Sequence, residues 1–496
     1  MTSVSDFTIQ EATISGIHAA FRAGGLTARQ LVQGYLDRIA AYDKTGPAIN
    51  AVISLNPDAL DEADRLDIAF GSSGFVGPLH GIPVILKDQA DIAGMTTTLG
   101  SVLFEDHIAK RDCFVAAALK KAGAILIGKA TLGELGGGDT HGSLFGSTRN
   151  VYDLERTAGG SSGGSAAAVS ANFATVAVGQ EGFASIRRPA AWNGIVGMRP
   201  TAGLVSRDGA YGCWPTVNGS LGPMARNVAD LATLLDSMVG YDPNDPLTAY
   251  GVGHLPKSFC DGLGADALRG ARIGILREPM GFATDPDADD FREIDGIFSH
   301  AVEILREAGA EVVDPVVIPD LAALLSRRAR SAEDDEAAFR AYVGGGRSPR
   351  YTTRKDVSES PLFGKVVKQA RDRWLTEDSA QAHYAYMQAR ETLMTRLLGV
   401  MADNRLDAIV HKAVEHQPTL IKDGVNPPYL DQKGAPHINT FLVFVPSIVV
   451  PAGYTKSGLP AGITFLGRPY DDARMVRFSY AFEAATRHRR PPAATP

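Results

Sequence analysis

An α/β fold layered around a largely internal sheet is predicted for this 496-residue chain by three observations. Helix-patterned and strand-patterned segments alternate along most of the sequence. Hydrophobic residues make up 45% of it, enough to bury a large core. No long polar linker divides it, so although length alone would allow about three domains, one large unit is expected.

The elements follow in order. Thr27 with Gln30 forms a capping-box signal, and Leu31, Val32, Tyr35, Leu36 and Ile39 then share one helical face. Pro47 and Pro57 bracket the strand-like AINAVIS, and in GIPVILKDQADIAG an apolar strand-like run ends at Lys87. FVAAALKKAGAILIGK reads as a helix from Phe114 to Lys121, a stop at Gly123 and a buried strand ending at Lys129. The alternation returns in ADLATLLDSMVG, ARIGILRE, FSHAVEILREAGAEVVDPVVI and LDAIV, whose apolar strands suit the inside of a sheet. The longest apolar run, INTFLVFVPSIVVPAG, is broken by Pro446 and Pro451 and falls short of the roughly 20 residues of a membrane helix. It reads as buried strands.

Composition narrows the partners. With 49 basic and 56 acidic residues and a formal charge of −7, no dense basic face is expected, which argues against nucleic acid or an anionic membrane. Cys113, Cys213 and Cys260 are widely spaced, odd in number and without a CxxC, as in a reduced, cytoplasmic protein. The opening MTSVSDFTIQEATIS lacks the basic and apolar regions of a signal peptide. No internal repeat is present.

The stretch from Thr157 to Arg199 carries most of the chemical information. A Gly/Ser loop with Ser161 and Ser162 opens a small-residue helix, and a second tight segment presents Ser185 before Ile186 and Arg187. Alone, GGSSGGS has the composition of a flexible linker, but an apolar segment follows it directly, which favours a structured turn at a helix N-terminus. Such a turn could cradle phosphate, yet the GK[ST] ending of a P-loop is missing. GGSSG also satisfies the G-x-S-x-G elbow of α/β-hydrolases, but the preceding STRNVYDLERTA is polar and turn-like where a strand is required. Lys87 alone would read as a surface lysine at a strand end. The weight lies in the three elements together, which need no histidine.

With these residues in this order the chain resembles the amidase signature family, serine hydrolases of carboxamides that use a Ser-Ser-Lys triad. The match runs from about Thr8 to about Gly240, with a weaker return in VPSIVVPAG and GLPAGITFLG. The resemblance implies a single amidase domain over residues 1–496, a mixed central sheet covered by helices on both faces, and a signature core at about 70–240. It implies Ser185 as nucleophile, because the family motif G-S-I-R-x-P-A stands here as A-S-I-R-R-P-A from Ala184 to Ala190. It implies Lys87 as the base, a neutral amine acting through Ser161, with a cis peptide bond between Gly160 and Ser161 and with Ser162 in support. The oxyanion donors would be the backbone N–H groups of Gly182, Phe183, Ala184 and Ser185. The expected substrate is a small-molecule amide, cleaved through an acyl-enzyme, with no metal, no cofactor and no partner beyond a homodimer.

Amide cleavage needs an activated nucleophile, a proton for the leaving nitrogen and donors for the developing oxyanion. A free lysine has a pKa of about 10.4, so a basic role near neutrality requires a depression of roughly 3 units, on the order of 4 kcal/mol. Asp88 would defeat this by pairing with Lys87, but successive side chains of an extended run point to opposite faces, so the two are expected to diverge.

The chain departs from the family where G-T-D-x-G-G-S becomes Gly179-Gln180-Glu181-Gly182-Phe183-Ala184-Ser185. Backbone donors survive this change unless positions 183 and 184 need φ > 0. Phe183 is expected to narrow the acyl pocket. Ala158 and Val151 also replace residues that are often proline in the family. The segment from Ser326 to Leu393 is the least family-like, and a variable helical cap at about 320–395 is expected over the active-site mouth, the alternative being a solvated helical pair with no substrate role. It lacks the tyrosine- and serine-rich segment of a glutaminase-type subunit of a tRNA-dependent amidotransferase, which is the alternative function. A catalytically inactive binding protein on the same scaffold is the other alternative.

Two further groups read as structural. His411 and His416 with Glu415 resemble a metal cluster, but a five-residue spacing separates side chains by about 140° on a helix, and ordinary loop histidines are expected. Trp192 is expected in the core, while Tyr211 and Trp214 fit either core or pocket.

Overall fold

The computed structural model describes residues 7–212, 219–344 and 350–496; Cys213 and Trp214 lie outside them. Eleven strands form one mixed sheet, in the spatial order Val52–Leu55, Ile125–Ala130, Pro83–Lys87, Val176–Glu181, Ser220–Ala225, Val196–Arg199, Ser447–Tyr454, Pro460–Leu466, Ala408–Lys412, Arg272–Leu276 and Glu311–Val316. Pro83–Lys87 runs parallel to both neighbours, and Arg272–Leu276 does the same at the far end. The other pairings are antiparallel.

The local signals act as their chemistry requires. Thr27 and Gln30 close a full capping box on the Ala28–Tyr42 helix, which buries Leu31, Val32, Tyr35 and Ile39. The Phe114–Lys121 helix stops before Gly123, whose φ of +88° suits glycine, and a Cβ there would meet the His80 backbone at 2.8 Å. The Gly163–Ser170 helix is buried along its whole length, which only small side chains allow. Trp192 is fully buried, with its indole N–H donated to the His416 carbonyl at 3.0 Å.

Two expectations are corrected. Within INTFLVFVPSIVVPAG only Ser447–Tyr454 is strand, and the first half is a short 3₁₀ turn at Ile438–Thr440 with irregular chain on either side. Local turn bonds such as Phe441 N–H to the Ile438 carbonyl replace a ladder, and side chains meet two further carbonyls: Arg199 donates to the Asn439 carbonyl, and the Tyr386 hydroxyl donates to the Thr440 carbonyl. Pro451 sits in the strand beside a register shift, where a missing N–H is tolerated. His411 is a strand residue, paired across to Thr464. Burial, reinforced by Arg187, pushes it down to about 3, which keeps the ring neutral.

Among the described residues between 332 and 403, the α-helices Ala332–Gly344, Arg354–Ser358, Lys368–Leu375 and Ala380–Asp403 gather with a 3₁₀ turn at Phe363–Lys365. Phe339, Tyr342 and Trp374 pack there with Leu99, Leu103 and Tyr211 in a separate apolar cluster, which fastens the segment over the loops that follow Lys87.

Candidate active site

Lys87 ends an interior strand, fully buried, and its Nζ lies 2.7 Å from Ser161 Oγ and 3.4 Å from the Gln180 carbonyl. Strand alternation turns the next residue away. Asp88 pairs with Lys129 at 2.8 Å and accepts the backbone N–H and hydroxyl of Thr98.

Ser161 follows a cis Gly160–Ser161 peptide, and its hydroxyl donates to the Gly136 carbonyl at 2.9 Å. The approach of backbones here needs glycine, because a Cβ on Gly160 would lie 2.3 Å from the Gly138 carbonyl oxygen. Ser162 ties the loop to its surroundings: its hydroxyl exchanges hydrogen bonds with both backbone groups of Gln180 at 3.2 Å, and its N–H donates to the Ser185 carbonyl at 3.1 Å. A cavity of about 470 Å³ is lined by Gly136, Gln180, Gly182, Phe183 and Ser185 from the sheet side, and by Arg328, Phe339, Arg354, Trp374 and Tyr386 from the helical segment. Tyr211 also lines it. Ser185 reaches this cavity, whereas Ser161 and Lys87 stand behind it.

A family model described as Amidase matches residues 30–476. The chain belongs to the amidase signature family. Its members are hydrolases acting on carbon–nitrogen bonds. Among relatives, a probable amidase of Arabidopsis thaliana is 30% identical over 98% of this chain and 92% of its own length. The A subunit of the glutamyl-tRNA(Gln) amidotransferase from Symbiobacterium thermophilum is 33% identical over 95% and 96%. The native peptide amidase of Stenotrophomonas maltophilia superposes with a TM-score of 0.83, at 33% identity over 98% of this chain and 99% of that one.

In this amidase framework the segment before Ser185 has free donors. Among the described residues, the peptide N–H groups of Gly182, Phe183, Ala184 and Ser185 meet no protein acceptor. Neither Phe183 nor Ala184 has positive φ, so a side chain at these positions is compatible with the backbone. Glu181, where family members usually have Asp, holds the segment from beneath: it accepts the N–H groups of Ile186 and Arg187 at 2.9 and 3.0 Å and the Arg187 side chain at 2.7 Å. Burial opposes its ionisation, but Arg187, Arg199 and these bonds outweigh it and hold the carboxyl below its usual range.

Several contributors escape sequence reasoning. Arg188, at the variable position of the motif, donates to the Gly160 carbonyl at 2.7 Å and pairs with Asp139 at 2.9 Å. Burial raises the Asp139 carboxyl although Arg188 opposes it. Glu134 accepts the N–H of Val367 at 2.8 Å and of Ser143 at 3.2 Å, and so braces the loop that carries Gly136. Nothing local announces these partners, because the contacts join segments that only tertiary packing brings together.

His416 and Glu415 serve the fold. The His416 ring bonds Asp290 at 3.0 Å and accepts the Asp285 N–H, while Glu415 accepts the N–H groups of Met280 and Gly281. No helix among the described residues is long and apolar enough to cross a membrane.

Proposed function

We propose that this protein is an amidohydrolase that cleaves the C–N bond of small carboxamides with Ser185 as nucleophile, Ser161 as proton relay and Lys87 as base. The reading is carried by the 2.7 Å contact of Lys87 with Ser161 directly behind a cavity that Ser185 lines. Ser185 Oγ bonds to the carboxamide carbon while the carbonyl electron pair moves to oxygen. The Ser185 proton passes to Ser161, whose own proton turns from the Gly136 carbonyl to the neutral amine of Lys87. The N–H groups of residues 182–185 receive the oxyanion. Collapse breaks the C–N bond, the proton returns through Ser161 to the leaving nitrogen, and water then clears the acyl-enzyme by the same relay.

In this reading residues 1–496 act as one amidase domain, with the signature core at about 70–240. The segment at about 320–395 is the cap that selects the substrate, supported by its residues in the cavity wall. Negative φ at Phe183 and Ala184 removes the motive for an inactive binding protein.

A fluorophosphonate adduct mapped to Ser185, together with amine release from a panel of amides that disappears in Ser185→Ala and Lys87→Met, is the expected result. A wild-type protein that takes no adduct there overturns it.

The second reading, a glutaminase-type component of a tRNA-dependent amidotransferase, draws on the 33% identity to the Symbiobacterium thermophilum sequence. The stand-alone reading is favoured by shape, since the corresponding Thermotoga maritima amidotransferase chain superposes with a TM-score of 0.73 against 0.83 for the peptide amidase. Obligate co-purification with a partner, and no activity alone, would decide for the amidotransferase.

A further inference from the structure

Among the described residues, the cavity wall contains a cation with no counterpart. Arg328 lines the cavity, and its guanidinium carbon stands 4.4 Å from the centre of the Phe183 ring. Within the same residues this guanidinium makes no ion pair or hydrogen bond. Its charged neighbours are committed elsewhere. Arg330 pairs with Asp335 and donates to the Arg373 carbonyl, Arg373 pairs with Asp431, and Asp378 accepts the Arg330 backbone N–H. Tyr386 donates its hydroxyl to the Thr440 carbonyl.

A contact with a ring face uses no N–H donor of the guanidinium, whose fork can then bind a carboxylate with two parallel hydrogen bonds. Phe183 in turn is stacked on His437, with centroids 5.5 Å apart and planes 3° from parallel, so the platform beneath Arg328 is fixed. Burial and then Arg328 itself push His437 down to about 4, so this ring is neutral near pH 7 and adds no second charge. Phe183 precedes Ser185 by two residues, which places Cα183 within about 7 Å of Cα185. Arg328, Phe183 and Ser185 line one cavity, so a group held on Arg328 and a carbonyl on Ser185 share that space.

Resting on the amidase reading above, we infer that Arg328 is a specificity-determining residue that receives a carboxylate carried by the acyl portion of the substrate. The substrate class is amides of dicarboxylic acids, or of peptides with an acidic side chain, cleaved at the amide and not at the free acid.

The test compares release of nitroaniline from matched pairs: succinyl against butyryl, glutaryl against pentanoyl, and adipoyl against hexanoyl p-nitroanilide. In wild type the acid member of at least one pair is expected to lead in kcat/KM by about 10- to 100-fold, the range for a hydrogen bond to a charged group. In Arg328→Gln that ratio falls to about one or below, and Arg328→Lys recovers part of it. The ratio within a pair cancels any general loss of activity in the variants. Equal ratios in wild type and Arg328→Gln, or no pair favouring the acid, overturn the inference. Fluorophosphonate labelling separates the two levels: an adduct on Ser185 without acid preference refutes Arg328 alone, and no adduct refutes the amidase reading and this inference with it. If the protein labels but turns over neither series, slowing of the labelling by glutarate in wild type and not in Arg328→Gln supports the inference. Equal slowing, or none, refutes it.

Discussion

Arg188 donates to the carbonyl of Gly160 at 2.7 Å, so one buried guanidinium fixes the peptide plane that carries Ser161. The same group pairs with Asp139 and lies over the Trp192 ring at 5.4 Å. Arg188→Met leaves Asp139 buried without its cation, and a loss of about 3–5 kcal/mol is expected in urea unfolding. The double variant with Asp139→Asn should regain part of that loss. A single variant as stable as wild type would refute the pairing as a structural element.

The Ser161 hydroxyl bonds both Lys87 and Gly136. Ser161→Ala cuts the proposed relay and is expected to lower kcat by about 10²- to 10⁴-fold, the range for general acid–base catalysis. Steady-state assays on any turned-over amide check this. Activity within about tenfold of wild type, well short of that range, would exclude Ser161 from proton transfer.

Phe183 lines the cavity where family members usually have glycine. Phe183→Gly opens space beside the acyl group, and kcat/KM for a bulky acyl amide is expected to rise relative to a small one. One methylene of fit in a pocket is worth roughly 10- to 200-fold in discrimination, and the whole benzyl group removed here should give a change of at least that order. An unchanged ratio would place the ring outside the acyl pocket.

Asp472 is fully buried and accepts the N–H of Thr201 at 2.9 Å together with its hydroxyl. Burial raises its carboxyl to about 6 despite those bonds. A folded-state pKa above the unfolded one means that its contribution is complete below about pH 4 and is lost as the pH rises through about 6. Asp472→Asn keeps an acceptor for Thr201 and sheds the charge. It is expected to gain on wild type by up to roughly 3 kcal/mol at about pH 7.5 and by nothing at about pH 4. Denaturant unfolding at both pH values measures the difference, and a gain independent of pH would contradict the assignment.

Much of the architecture is legible in sequence because the signals are local. The capping box at Thr27, the stop at Gly123 and the strand ending at Lys87 each rest on neighbours within a few residues. The divergence of Lys87 and Asp88 follows from strand alternation alone. INTFLVFV misleads because a short apolar run does not reveal whether its backbone will find a ladder or side-chain partners, and here Arg199 and Tyr386 supply the partners. His411 looks like a loop residue because LDAIV gives no sign that pairing continues to Lys412. Arg188 and Arg328 stay hidden for a different reason. Their meaning depends on Gly160, Asp139 and Phe183, brought close only by tertiary packing.

The backbone at positions 183 and 184 carries its side chains without a left-handed turn. Phe183, which lines the cavity, together with Arg328 therefore forms a compact target for directed evolution. A saturation library there would resculpt the pocket while the machinery behind it, anchored by Lys87 and Glu181 on interior strands, stays unaltered.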